Sequence, residues 1–79
     1  MPVLTFYHRP GCHLCTDMLV LLQERQQALG FELEMLDVDS DPQLAARFGE
    51  LVPLLRLGEQ EICHYFLDEA ALRACLASV

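Results

Sequence analysis

The apolar positions of this chain change their period several times, and each change marks an element. Val3-Leu4-Thr5-Phe6-Tyr7 is β-branched and aromatic without strict polar alternation, the pattern of an interior strand buried on both faces. After a Pro10-Gly11 turn, Leu14, Met18, Leu21, Leu22, Arg25 and Leu29 recur at helical spacing, and Gly30 suits the residue that closes a helix. Phe31-Glu32-Leu33-Glu34-Met35 then alternates apolar and charged, as a half-buried strand continuing to about Val38. Asp41-Pro42 starts a second helix, with the carboxylate as N-cap and proline in the first helical position. Leu44, Ala45 and Phe48 give that helix its buried stripe, and Gly49 ends it. Leu54–Leu57 and Glu61–Tyr65, joined by Gly58-Glu59-Gln60, read as an antiparallel hairpin. Asp68 caps a last helix whose apolar face is Ala71, Leu72, Cys75, Leu76 and Val79.

The order βαβα-ββα implies a topology. A right-handed crossover makes the first two strands parallel, and the hairpin extends the sheet beside the first strand. The expected α/β fold is a mixed four-stranded sheet with helices on both faces. With 79 residues, 53% of them apolar, and no linker-like tract, the chain is expected to form one domain over 1–79. The longest apolar run, Met18 to Leu22, is far too short to cross a bilayer, and Met1-Pro2-Val3 lacks the basic-then-apolar start of a secretory signal. A cytoplasmic monomer is expected. The formal charge of -7, with five arginines and no lysine, argues against nucleic acid and anionic membranes as partners. The acidic residues gather at Glu32, Glu34, Asp37, Asp39 and Asp41 and again at Glu59, Glu61, Asp68 and Glu69, either a solvated surface or a docking face for a basic protein.

The chemistry is concentrated in Cys12-His13-Leu14-Cys15, which follows the first strand and opens the first helix. A thiol at a helix N-terminus faces unpaired N–H groups and the positive end of the helix dipole, so its thiolate is favoured. A thiol three residues on lies about one turn away and can close a disulfide with it. Cys12 therefore has the layout of a nucleophile and Cys15 that of its resolving partner; His13, Arg9 and His8 add nearby positive or titratable groups. The competing chemistry is zinc, with Cys63 or His64 as further ligands. Adjacent strand residues point to opposite faces, so those two cannot both serve, and no second CxxC completes a set. Cys63, on a strand, and Cys75, on an apolar helix face, read as buried core thiols, Tyr7 as core and His8 as solvent-exposed.

Together the strand-PG-CxxC-helix opening, Asp37-Val38-Asp39, the Val52-Pro53 dipeptide and the capped last helix resemble the glutaredoxins of the thioredoxin fold, and more narrowly the small bacterial glutaredoxin-like proteins of undefined substrate. The likeness covers essentially the whole chain. It implies a thioredoxin-like βαβαββα fold and thiol–disulfide exchange at Cys12 and Cys15. It also implies that Pro53 is a cis-proline facing them, with the Val52 backbone placed to pair with an extended substrate.

Two departures bear on the reductant. Where glutathione-binding glutaredoxins carry a Gly-Gly pair, this chain has Tyr65-Phe66-Leu67, and in place of their lysine before the motif the nearest cation is Arg9. Asp68 is left to stand in for the aspartate that contacts the glutathione amino group. No tightly bound cofactor is expected, and glutathione and a thioredoxin reductase are alternative electron donors. The substrate is expected to be a protein or small-molecule disulfide, bound at Val52, Pro53, His13, Arg9 and Asp68. The alternative from another class is a non-catalytic binding module that keeps the fold and docks a protein on its acidic surface. A shared iron–sulfur cluster, known for some glutaredoxin relatives, is disfavoured by the second cysteine and the missing glycines.

Overall fold

The computed structural model describes residues 1–79. The chain forms β1 (Val3–His8), α1 (His13–Leu29), β2 (Glu32–Asp37), a short 3-10 helix (Val38–Ser40), α2 (Pro42–Phe48), β3 (Leu54–Leu57), β4 (Gln60–His64) and α3 (Glu69–Ala77). The sheet runs β2-β1-β3-β4, with β1 and β2 parallel and the other two pairs antiparallel. This is the thioredoxin-like architecture that the element order implies.

Alternation along β1 divides the core in two. Leu4 and Phe6 point to one face, where they meet Cys15, Met18 and Leu22 of α1 and Leu72 and Cys75 of α3. Tyr7 points to the other face and packs with Val38, Phe48 and Leu54 beneath α2. The second cluster is small, and Phe48 anchors it. Its ring centroid lies 4.5 Å from that of Tyr7, and the guanidinium groups of Arg47 and Arg56 sit 4.7 and 4.9 Å from the ring.

Capping fixes where the helices begin. Asp41 accepts the Gln43 N–H and Asp68 the Ala71 N–H, each at the N-cap of its helix. Gly30 closes α1 at φ 73°, a left-handed conformation that costs glycine nothing. An Arg25–Glu69 ion pair ties α1 to α3 across the surface of the main core. It holds the Glu69 carboxyl below its ordinary range, through the Arg25 hydrogen bond first and its charge second.

Several boundaries and stripes differ from the sequence reading. Leu21 is exposed, because Cys15, Met18 and Leu22 set the buried face of α1 and Leu21 falls beside it. The second strand ends at Asp37, whose carboxylate accepts the Asp39 N–H and opens the 3-10 turn containing Val38. Met35 is exposed on edge strand β2, Val79 lies beyond α3, and β4 stops at His64 because Tyr65 adopts φ 66°. His8 is half-buried rather than solvent-exposed, its ring stacked on Phe6 at 5.8 Å.

Candidate functional site

Register gathers the candidate residues at one end of the sheet. Tyr7 pairs with Leu54 and Leu54 with His64, so the loop after β1, the segment before β3 and the segment after β4 share that end. Arg9 and Cys12 follow β1, Val52 and Pro53 precede β3, and Asp68 follows β4, so segments distant in sequence leave the sheet at the same end.

Pro10 and Gly11 turn the chain out of β1, with Gly11 at φ 74°, and Cys12 becomes the N-cap of α1. Its Sγ accepts the Cys15 backbone N–H at 3.1 Å, the contact a serine or aspartate oxygen makes at an ordinary N-cap. The helix is thus capped by sulfur. An anionic Sγ accepts that bond better than a neutral one and also lies at the positive end of a 17-residue helix. The Cα atoms of Cys12 and Cys15 are 5.2 Å apart and the two sulfurs form a disulfide. Cys12 is partly exposed, whereas Cys15 is 5% exposed and belongs to the core. One thiol is open to a partner and the other to its neighbour.

The segment before β3 contains a cis Val52–Pro53 bond. Pro53 is buried, Val52 lies just outside the ladder that starts at Leu54, and both Cys12 and Val52 pack on the main core cluster. Tyr65 braces this segment twice. Its N–H donates to the Pro53 carbonyl at 2.8 Å and its hydroxyl to the Glu50 carbonyl at 2.7 Å. Phe66, next to it, is 70% exposed.

The charged candidates are less free than the sequence suggests. The Arg9 guanidinium donates to the Gly49 carbonyl at 3.0 Å and to Asp39 at 3.1 Å, linking the end of β1 to the end of α2. His13 is the first residue of α1 and reaches Asp17 at 3.2 Å along the exposed helix surface. Asp68 caps α3. Cys63 and Cys75 are buried free thiols, and burial pushes the Cys63 thiol up, partly offset by the Asp68 backbone N–H. No three His, Cys, Asp or Glu side chains are grouped so as to hold a metal ion.

His8, which the sequence places beside the motif, borders a small cleft shared with Cys15. The conformation of Tyr65 escaped the sequence reading: it takes a left-handed backbone at the position of the glutaredoxin glycines. For Tyr65 the signal was available. A pattern that calls for glycine hints at positive φ, whatever residue replaces it.

Comparison with known proteins agrees with the geometry. Residues 3–77 match the family described as Glutaredoxin-like domain (DUF836). The protein Rv0508 of Mycobacterium tuberculosis is 33% identical over 81 residues, covering 96% of this chain and 84% of its own. The solution structure of Ne2328 from Nitrosomonas europaea superposes with a TM-score of 0.82 at 38% identity, over 95% of this chain and 92% of that one. The X-ray structure of XcR50 from X. campestris does so with a TM-score of 0.74 at 32% identity, over 96% and 97%. The Cys12-Cys15 pair is a disulfide-forming CxxC consistent with a redox-active centre and with thiol–disulfide oxidoreductase activity.

Proposed function

The chain belongs to the glutaredoxin-like domain family, and from that premise we propose that it reduces disulfides through Cys12 as nucleophile and Cys15 as resolving thiol. The observation that carries the reading is the asymmetry of the pair: a partly exposed Sγ at the N-cap and a buried one a turn inside. In the reduced protein the Cys12 thiolate attacks one sulfur of a substrate disulfide and expels the other as a thiolate. Cys15 then attacks Cys12 Sγ, the substrate's second sulfur leaves with the electron pair, and the Cys12–Cys15 disulfide forms. Two electrons have moved from the protein to the substrate. A thiol donor reverses the sequence.

The substrate lies along Val52 and Pro53, with the Val52 backbone outside the β3 ladder serving an extended segment. Tyr65 and Phe66 present aromatic rings where glutaredoxins offer bare backbone to glutathione. A disulfide flanked by apolar side chains suits that rim better than a charged tripeptide does. Arg9, His13 and Asp68 complete the rim.

The test is exchange with a small disulfide, followed by mass spectrometry. Cys12→Ser abolishes turnover, and Cys15→Ser accumulates a mixed disulfide on Cys12. Turnover that survives Cys12→Ser, or a folded wild-type protein that exchanges with no disulfide, overturns the reading and favours a binding module.

A further inference from the structure

Resolution of the mixed disulfide requires Cys15 to lose a proton, and Cys15 is 5% exposed within the core. Buried thiols ionise reluctantly, so bulk solvent is a poor acceptor for this one. A cleft of about 80 Å3 does reach the residue from the β2 side of the sheet. About 10–15 Å3 admits one water, so the cleft has room for more than one. Its apolar walls are Phe6, Leu19 and Met35, and its polar groups are His8, Arg9 and Thr16.

Only one of those polar groups is a nitrogen base with a free lone pair. The Arg9 guanidinium is a permanent cation already bonded to Asp39 and the Gly49 carbonyl. The Thr16 hydroxyl donates to the Cys12 carbonyl at 3.4 Å. Imidazole is the side chain built for transfer near neutral pH, and the His8 ring is held in place by stacking on Phe6 with the planes 15° apart.

We propose that His8 is the proton-relay residue for Cys15, acting through water in this cleft. The proposal rests on the oxidoreductase reading above. In the resolving step the Cys15 S–H proton passes by water to His8, and the Cys15 thiolate attacks Cys12 Sγ. The bond from Cys12 to the substrate sulfur breaks, that sulfur leaves with the electron pair, and His8 returns the proton to it or to solvent. When a thiol donor reduces the disulfide, protonated His8 supplies the proton that Cys15 needs as leaving group. The charged groups around His8 are Arg9 beside it and Asp37, its register partner on β2. The Asp37 carboxylate accepts the Asp39 N–H, and Asp39 in turn neutralises Arg9. From β3 the nearest residues, Pro53 and Leu54, carry no charge, and from α1 the cleft receives only Cys15, Thr16 and Leu19.

A single-turnover reaction of the reduced protein with a chromogenic disulfide separates the steps, because Cys12 attack releases the first thiol and Cys15 attack the second. His8→Gln and His8→Ala are expected to slow the second release at least ~10-fold more than the first and to alter its pH dependence. Added imidazole is expected to restore the second release in His8→Ala. A second release with wild-type rate and pH profile in both variants overturns the relay while leaving the oxidoreductase reading intact, as does an equal slowing of both releases. A wild type that releases neither thiol overturns the oxidoreductase reading and the relay with it.

Discussion

A sulfur at an N-cap and a tyrosine in a left-handed backbone are the two residue-level choices that define this site. Cys12 takes over hydrogen bonding that an oxygen normally supplies, so the helix start is best satisfied when Sγ is anionic. Tyr65 stands at φ 66°, a conformation that costs a non-glycine residue roughly 1 kcal/mol or more. Its bonds to the Pro53 and Glu50 carbonyls offset that cost. The hydroxyl bond spans the segment before β3, so its loss acts locally. Tyr65→Phe is expected to lower stability by about 1 kcal/mol or less, while exchange of the Leu51 amide, bonded to the Phe48 carbonyl, quickens several-fold. Unchanged exchange at that amide shows that the hydroxyl does not hold the segment.

Between elements, the Arg25–Glu69 pair makes a prediction with a definite sign. Arg25 lowers the Glu69 carboxyl below its ordinary range, so the folded state binds a proton there less readily than the unfolded chain. The pair's contribution is therefore present above the ordinary carboxylate range and lost as pH falls through the lowered value. Both side chains reach solvent, so the effect is small. Glu69→Gln is expected to lower Tm slightly at neutral pH and to converge with the wild type in acid; a gap that widens in acid contradicts the sign. This pair was not legible in the sequence, since a contact over 44 residues has no local period. The elements themselves were legible, because their signals are local: alternation at Phe31–Met35, the Asp41-Pro42 start, the Asp68 cap. Cys12 and Cys15 were legible for the same reason, as a spacing beside a helix start. Leu21 and the exposure of His8 were misread where packing decided. The face of α1 is set by what lies across from it, and His8 is sheltered by a cleft that only the assembled sheet and helix create.

Taken whole, the molecule engages four of its five arginines close to home. Arg9 binds Asp39, Arg25 binds Glu24 and Glu69, and Arg47 and Arg56 lie over Phe48. What is left over is a field set by 12 acidic residues against five arginines, a formal charge of -7. Such a field attracts cationic partners from beyond contact distance and repels anionic ones. At the dithiol it competes with the helix dipole, which favours an approaching anion. That local effect fades within about a turn of helix, whereas at low salt the field of the whole surface reaches roughly 30 Å. The surface therefore governs encounter. A small disulfide with two ammonium ends is expected to be reduced several-fold faster than its counterpart with two carboxylate ends at low ionic strength. The ratio should shrink toward one as salt brings the screening length to about 3 Å near 1 M. Faster reduction of the anionic disulfide, or a ratio indifferent to salt, means instead that the helix start outweighs the surface and that an anionic thiol such as glutathione meets no barrier on its way to Cys12.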